Sequence, residues 1–144
     1  MPSSLPDLMP PLERLLQVTN AHDLEGIVAC FADDYWLESP LHPARSFRGK
    51  EQVRRNWTQI LRAIPDVQAR VLRSALAEDA VWTEWEMTGT RPGGGKHWLR
   101  GVFIFGVANA LLQWGRMFLE PVDESSLEMD AAVRQQVVGP GAVP

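Results

Sequence analysis

Behind Pro11, Leu12, Leu15, Leu16 and Thr19 recur at helical spacing, and this stripe predicts a first helix that starts at the proline. Asn20-Ala21-His22 breaks the stripe. Asp23 then reads as the N-cap of a second, short helix that buries Leu24, Ile27, Val28 and Phe31. Ala32-Asp33-Asp34 reads as a turn, and residues 35–39 as a strand ended by Pro40. A loop over 40–49 leads to a third helix, 50–64, with Val53, Trp57, Ile60, Leu61 and Ile64 on one face and Pro65-Asp66 stopping it. Extended segments follow at 67–76, 80–89, 97–106 and 111–120, the glycine-rich 90–96 forming a hairpin loop. Ser125-Ser126-Leu127-Glu128 has the form of a capping box and predicts a terminal helix to about 138.

Helices gathered ahead of a run of strands predict an α+β fold. Three N-terminal helices should pack in a curved, mainly antiparallel sheet, with a short C-terminal helix after it. Residues 1–10, with three prolines, read as a flexible arm; 11–138 form one domain, and 139–144 a frayed tail.

Alternation along the strands separates two faces. Trp85, Met87, Phe103 and Met117 share the apolar face that must meet the helices. The other face mixes Trp82, Trp98, Trp114 and Phe118 with Glu84, Glu86, Arg100 and Arg116. Glu86 opposite Arg100, with Arg116 beside it, would make a cross-strand charge network. A face so rich in tryptophan is too apolar for open water and predicts a homodimer through the convex side of the sheet.

Composition narrows the class. Apolar residues make up 45% and charged ones 22%, ordinary values for a globular domain. With 14 basic against 18 acidic residues the net charge is −4, which argues against nucleic acid as a partner. One cysteine excludes an internal disulfide. The longest uncharged apolar run, 101–112, is too short to cross a bilayer as a helix, and no signal pattern opens the chain. The reading is cytoplasmic, with no membrane partner. Three scattered histidines and one cysteine offer no metal site, and 93–96 joins two strands where a phosphate loop would open a helix. No cofactor is expected.

The stretch Asn20-Ala21-His22-Asp23-Leu24-Glu25-Gly26-Ile27-Val28-Ala29, followed by Phe31-Ala32-Asp33-Asp34 and Glu38-Ser39-Pro40, resembles the nuclear transport factor 2-like superfamily. Gly49, Trp57 and Gly101-Val102-Phe103 fall in the same register, and the resemblance runs from Leu12 to Glu120. It implies a cone-shaped fold around an apolar cavity, in the manner of ketosteroid isomerases, SnoaL-like cyclases and limonene epoxide hydrolases. The resemblance also shows what is missing. The ketosteroid isomerase base falls on Ser39, and its oxyanion donors fall on Leu15 and Gly101. The epoxide hydrolase set falls on Trp85, Met87 and Met117.

Three candidates for proton transfer follow. His97 shares the cavity parity and titrates near neutrality. Glu38 ends the first strand, where relatives hold their base. Glu120 matches the acidic residue on the last strand of the cyclases, yet parity turns it away from Met117 unless a bulge intervenes. Ser39, Trp57, Trp85, Met87, Phe103 and Met117 are the candidate ligand-binding residues. Together these imply isomerase, cyclase or hydratase chemistry on an apolar, polycyclic substrate. The alternative is a non-catalytic ligand-binding or dimerisation module of the same fold.

Overall fold

The computed structural model describes residues 8–139. The predicted arm at 1–7 and tail at 140–144 lie outside the described residues. In chain order come α1 (Met9–Asn20), α2 (Leu24–Ala29), β1 (Phe31–Glu38), a 3₁₀ turn (Pro43–Arg45), β2 (Phe47–Arg48) and α3 (Lys50–Ala63). Then follow β3 (Gln68–Ala77), β4 (Ala80–Thr90), β5 (Lys96–Ala108), β6 (Leu111–Pro121) and α4 (Met129–Val138). The six strands form one curved open sheet in the order β2-β1-β6-β5-β4-β3. All pairings are antiparallel except β1 with β6. The α+β expectation holds.

The differences from the sequence reading have local causes. α1 begins at Met9, two residues before Pro11, because its first turn needs no N–H from Pro10 or Pro11. Leu8 is already buried against the core, so residues 8–10 belong to the folded domain. Ala32-Asp33-Asp34 is not a turn but a bulged stretch of β1. Between Phe31 and Trp36 the ladder to β6 slips, and both aspartates swing out to solvent. Phe31 accordingly lies on β1 and not on α2. A second slip, between Gly106 and Val107, turns Leu112 into the core against strict alternation. The loop over 40–49 contains the 3₁₀ turn and the two-residue β2. At the C-terminus Ser125 caps nothing. α4 starts at Met129 with Glu128 as its N-cap and no side-chain capping bond, while the Ser125 N–H donates to Asp123.

Asp23 caps α2 as expected, its carboxylate accepting from the Gly26 N–H at 3.0 Å. The end of α1 is clamped to β3 by Asn20, which exchanges two hydrogen bonds with the Ala69 backbone at 2.7 and 2.8 Å. His22 joins the same clamp through the Val67 carbonyl at 2.7 Å. Leu12, Leu15, Ile27, Val53 and Val67 are buried between helices and sheet. Each such side chain contributes about 1.5–3 kcal/mol on leaving water.

Gly101 lies mid-strand in β5, between β4 and β6. Its φ of +152° and the 2.1 Å that would separate a β-carbon from the Phe118 carbonyl oxygen admit no side chain. On the outer face Glu86 lies opposite Arg100, as expected. Arg116, however, lies opposite Ile104 and pairs with Glu38, so it stands apart from the Glu86 network. Arg70 from β3 takes its place, donating to Glu86 at 2.7 and 2.9 Å.

Candidate functional site

Between α1, α3 and the concave face lies a cavity of about 400 Å³. α3 supplies one wall because Val53, Asn56, Trp57 and Ile60 fall on one side of the helix at spacings of three and four. β4 supplies Trp85 and Met87, β5 supplies Leu99, Phe103 and Phe105, and β6 supplies Met117 and Leu119. The Trp85 N–H donates to Thr83 at 2.6 Å, and Thr83 donates to the Phe103 carbonyl at 2.6 Å. That relay satisfies the indole donor and leaves the ring itself to face the cavity.

Of the candidate ligand-binding residues, Trp57, Trp85, Met87, Phe103 and Met117 line this space. Ser39 does not. It is 1% exposed, and its hydroxyl has no partner among the described residues. It sits behind the lining, at the loop where its N–H donates to the Ser46 hydroxyl.

The candidates for proton transfer separate. His97 lines the cavity, and its Nε2 is buried without a partner among the described residues. Desolvation pushes its pKa below the usual histidine range; the positive charge of Arg91 adds to the effect and Asp66 opposes it. The shift favours the neutral imidazole, the form that can accept a proton. Glu38 points outward to Arg116 at 2.7 Å and is absent from the lining. Glu120 lines the mouth of the cavity although its backbone lies on the outward parity. The strand ends at the next residue, and His42 Nε2 stands 2.9 Å from the Glu120 carboxylate.

Sequence reasoning missed Tyr35, the chain's single tyrosine. It lines the cavity at 1% exposure, and burial raises its pKa far above the ordinary value, so the phenol stays protonated. A β-carbon at Gly115 would come within 2.4 Å of the phenol oxygen, so the glycine makes its room. The signal is present in the alternation of β1, where Tyr35 and Leu37 share a face. Arg45 and Asn56 were missed as well; both line the cavity. Among the described residues no cluster of three or more His, Cys, Asp or Glu is arranged to hold a metal ion.

The model of the SnoaL-like domain matches residues 12–113. The chain belongs to this family. Among solved structures, AclR from Streptomyces galilaeus superposes with a TM-score of 0.71 at 18% identity, over 82% of this chain and 81% of that one. RV0760c from Mycobacterium tuberculosis, solved in complex with estradiol-17beta-hemisuccinate, gives 0.67 at 21% identity, over 78% and 92%. A SnoaL-like protein from Burkholderia thailandensis gives 0.64 at 22%, over 85% and 100%. These likenesses show the fold. No curated protein matches the chain in sequence. No helix among the described residues is long and apolar enough to cross a membrane.

Proposed function

We propose that this SnoaL-like domain binds an apolar, ring-bearing small molecule in its cavity and moves a proton on it through His97. The observation that carries the reading is an imidazole nitrogen buried without a partner among the described residues, in a cavity whose lining includes Trp57, Trp85, Met87, Phe103 and Met117. A cavity of about 400 Å³ falls within the range of small-molecule sites, about 300–1,000 Å³. The steroid ester held by RV0760c supports the class of ligand.

On a cyclic ketone, neutral His97 takes a proton from the carbon beside the carbonyl and becomes imidazolium, while the electron pair moves to the oxygen as an enolate. Tyr35, held protonated by burial, is a hydrogen-bond donor deeper in the cavity, beside Gly115 and Phe103. Returning the proton to a different carbon completes an isomerisation. Glu120 at the mouth is the second acid–base group, paired with His42.

A non-catalytic binding module is the second reading. It is favoured by the positions where relatives keep catalytic carboxylates, which here hold Ser39 and Gly101. Both readings include a homodimer through the outer face, supported by Trp82 at 47% exposure, and a cytoplasmic location.

The test incubates 2-tetralone and a steroid enone with the protein in D₂O while tryptophan fluorescence reports binding. Proton transfer requires quenching by the ligand and deuterium uptake beside the carbonyl, with uptake lost in His97→Gln and binding kept. Binding without uptake selects the second reading, and no binding by any apolar ligand overturns both.

A further inference from the structure

We infer that the ligand carries a carboxylate, and that Arg45 receives it at the mouth of the cavity. The inference rests on the reading of the cavity as an apolar-ligand site and adds the polar end of the molecule.

Among the described residues Arg45 is the one arginine or lysine in the lining. Arg54, Arg70, Arg73, Arg100 and Arg116 each hold a glutamate. Among the described residues Arg45 has no acidic partner within ion-pair distance. Its position is braced all the same. The Arg45 N–H donates to the His42 carbonyl at 2.8 Å, closing the 3₁₀ turn. His42 ties that turn to β6 through Glu120 at 2.9 Å, and Ser46 ties it to Ser39 at 3.0 Å. Arg14, Arg48, Arg55, Arg62, Arg91 and Arg134 also lack an acidic partner among the described residues, but Arg45 alone of them lines the cavity, exposed on a held loop at its rim.

Asn56 and Glu120 are two further polar residues in the lining. Asn56 accepts from Gln52 at 2.8 Å through its amide oxygen, which leaves its NH₂ group to donate into the space it lines. Glu120 is held 2.9 Å from His42 Nε2, which ties its carboxylate to the loop. An arginine fork matches the two oxygens of a carboxylate. A phosphate monoester brings about −1.5 to −2 charges at pH 7, more than one arginine beside Glu120 compensates. With the body in the hydrophobic wall and the acid at the mouth, the ligand class is a ring-bearing carboxylic acid.

The probes are 1-pyrenebutyric acid and its methyl ester, titrated at low salt against energy transfer from the tryptophans. The acid should bind at least tenfold more tightly than the ester, and added salt should erode the difference. Arg45→Gln should remove the preference while leaving ester affinity in place, and Arg45→Lys should keep part of it. Equal binding of acid and ester by the wild-type protein overturns this inference and leaves the apolar cavity standing. Equal losses for both probes in Arg45→Gln overturn it too, by making Arg45 a merely structural residue. Failure of both probes to bind the wild-type protein defeats the cavity reading itself.

Discussion

The indole N–H of Trp98 donates to the Glu86 carboxylate at 2.9 Å across the β4–β5 ladder, on the sheet face turned away from the cavity. The bond from Trp98, with those from Arg70 and Arg100, pulls the Glu86 pKa from 4.5 down to about 2. A carboxyl whose pKa is lower in the folded state adds stability above its unfolded value, and that stability drains away as pH falls through the folded one. Thermal midpoints of the wild-type protein should therefore fall between about pH 4.5 and pH 2. In Glu86→Gln the midpoint should be lower at neutral pH and the acid-dependent fall shallower, as read by circular dichroism.

His97 gives the opposite charge type and a different window. Its folded-state pKa lies below the ordinary histidine value of about 6.5, so the unfolded chain binds the proton first as pH drops. The stability held above about 6.5 is lost progressively below it. An NMR titration of the imidazole should place its midpoint below 6.5, and filling the cavity with an apolar ligand should lower it further.

Gly115→Ala should strike the cavity directly. The added methyl meets the Tyr35 hydroxyl at 2.4 Å and the Phe103 ring at 2.6 Å, and neither belongs to a loose side chain. Overpacking of this kind costs about 1–3 kcal/mol, measurable as a lower urea midpoint. Apolar ligands should lose affinity at the same time.

Trp82→Glu tests the outer face. Trp82 is half-exposed on β4, whereas Trp114 stacks on Trp36 and covers Gly106, so replacing Trp82 disturbs the fold least. Light scattering at micromolar concentration should give a dimer mass for the wild-type protein and a monomer mass for the variant, with an unchanged circular dichroism spectrum.

Most of the architecture was legible because it rests on periodicity. The stripe on α3, the Asp23 cap and the alternation of β4 are strong local patterns, and long-range packing agrees with them. The errors fall where two strands meet out of step. Asp33 and Asp34 look like turn residues because a bulge also asks for polar side chains that leave the ladder. Leu112 reverses its side because of a slip that only the β5–β6 pairing reveals. The site was legible on its walls, where strand parity carries Trp85, Met87, Phe103 and Met117. At its mouth Glu120 was named through the family resemblance, but Arg45 was not legible. Arg45 and Glu120 arrive there from a loop and a strand end, and their meeting through His42 depends on tertiary geometry that no local spacing encodes.

The placement of β6 between β1 and β5 governs when this molecule can fold. Glu38 and Arg116, joined across the parallel pair, are 78 residues apart along the chain. On the ribosome β1 waits for its central neighbour until nearly the whole domain has been made. Until then the helices have half a sheet to pack on, and the future ligand chamber has no Met117 or Leu119 wall. The hairpins of β3, β4 and β5 can zip early, but closing the chamber is a late, non-local step with a large loop-closure cost. A nascent chain stalled before residue 111 would present an unpaired β1 edge and bare aromatic rings, the kind of surface that chaperones hold.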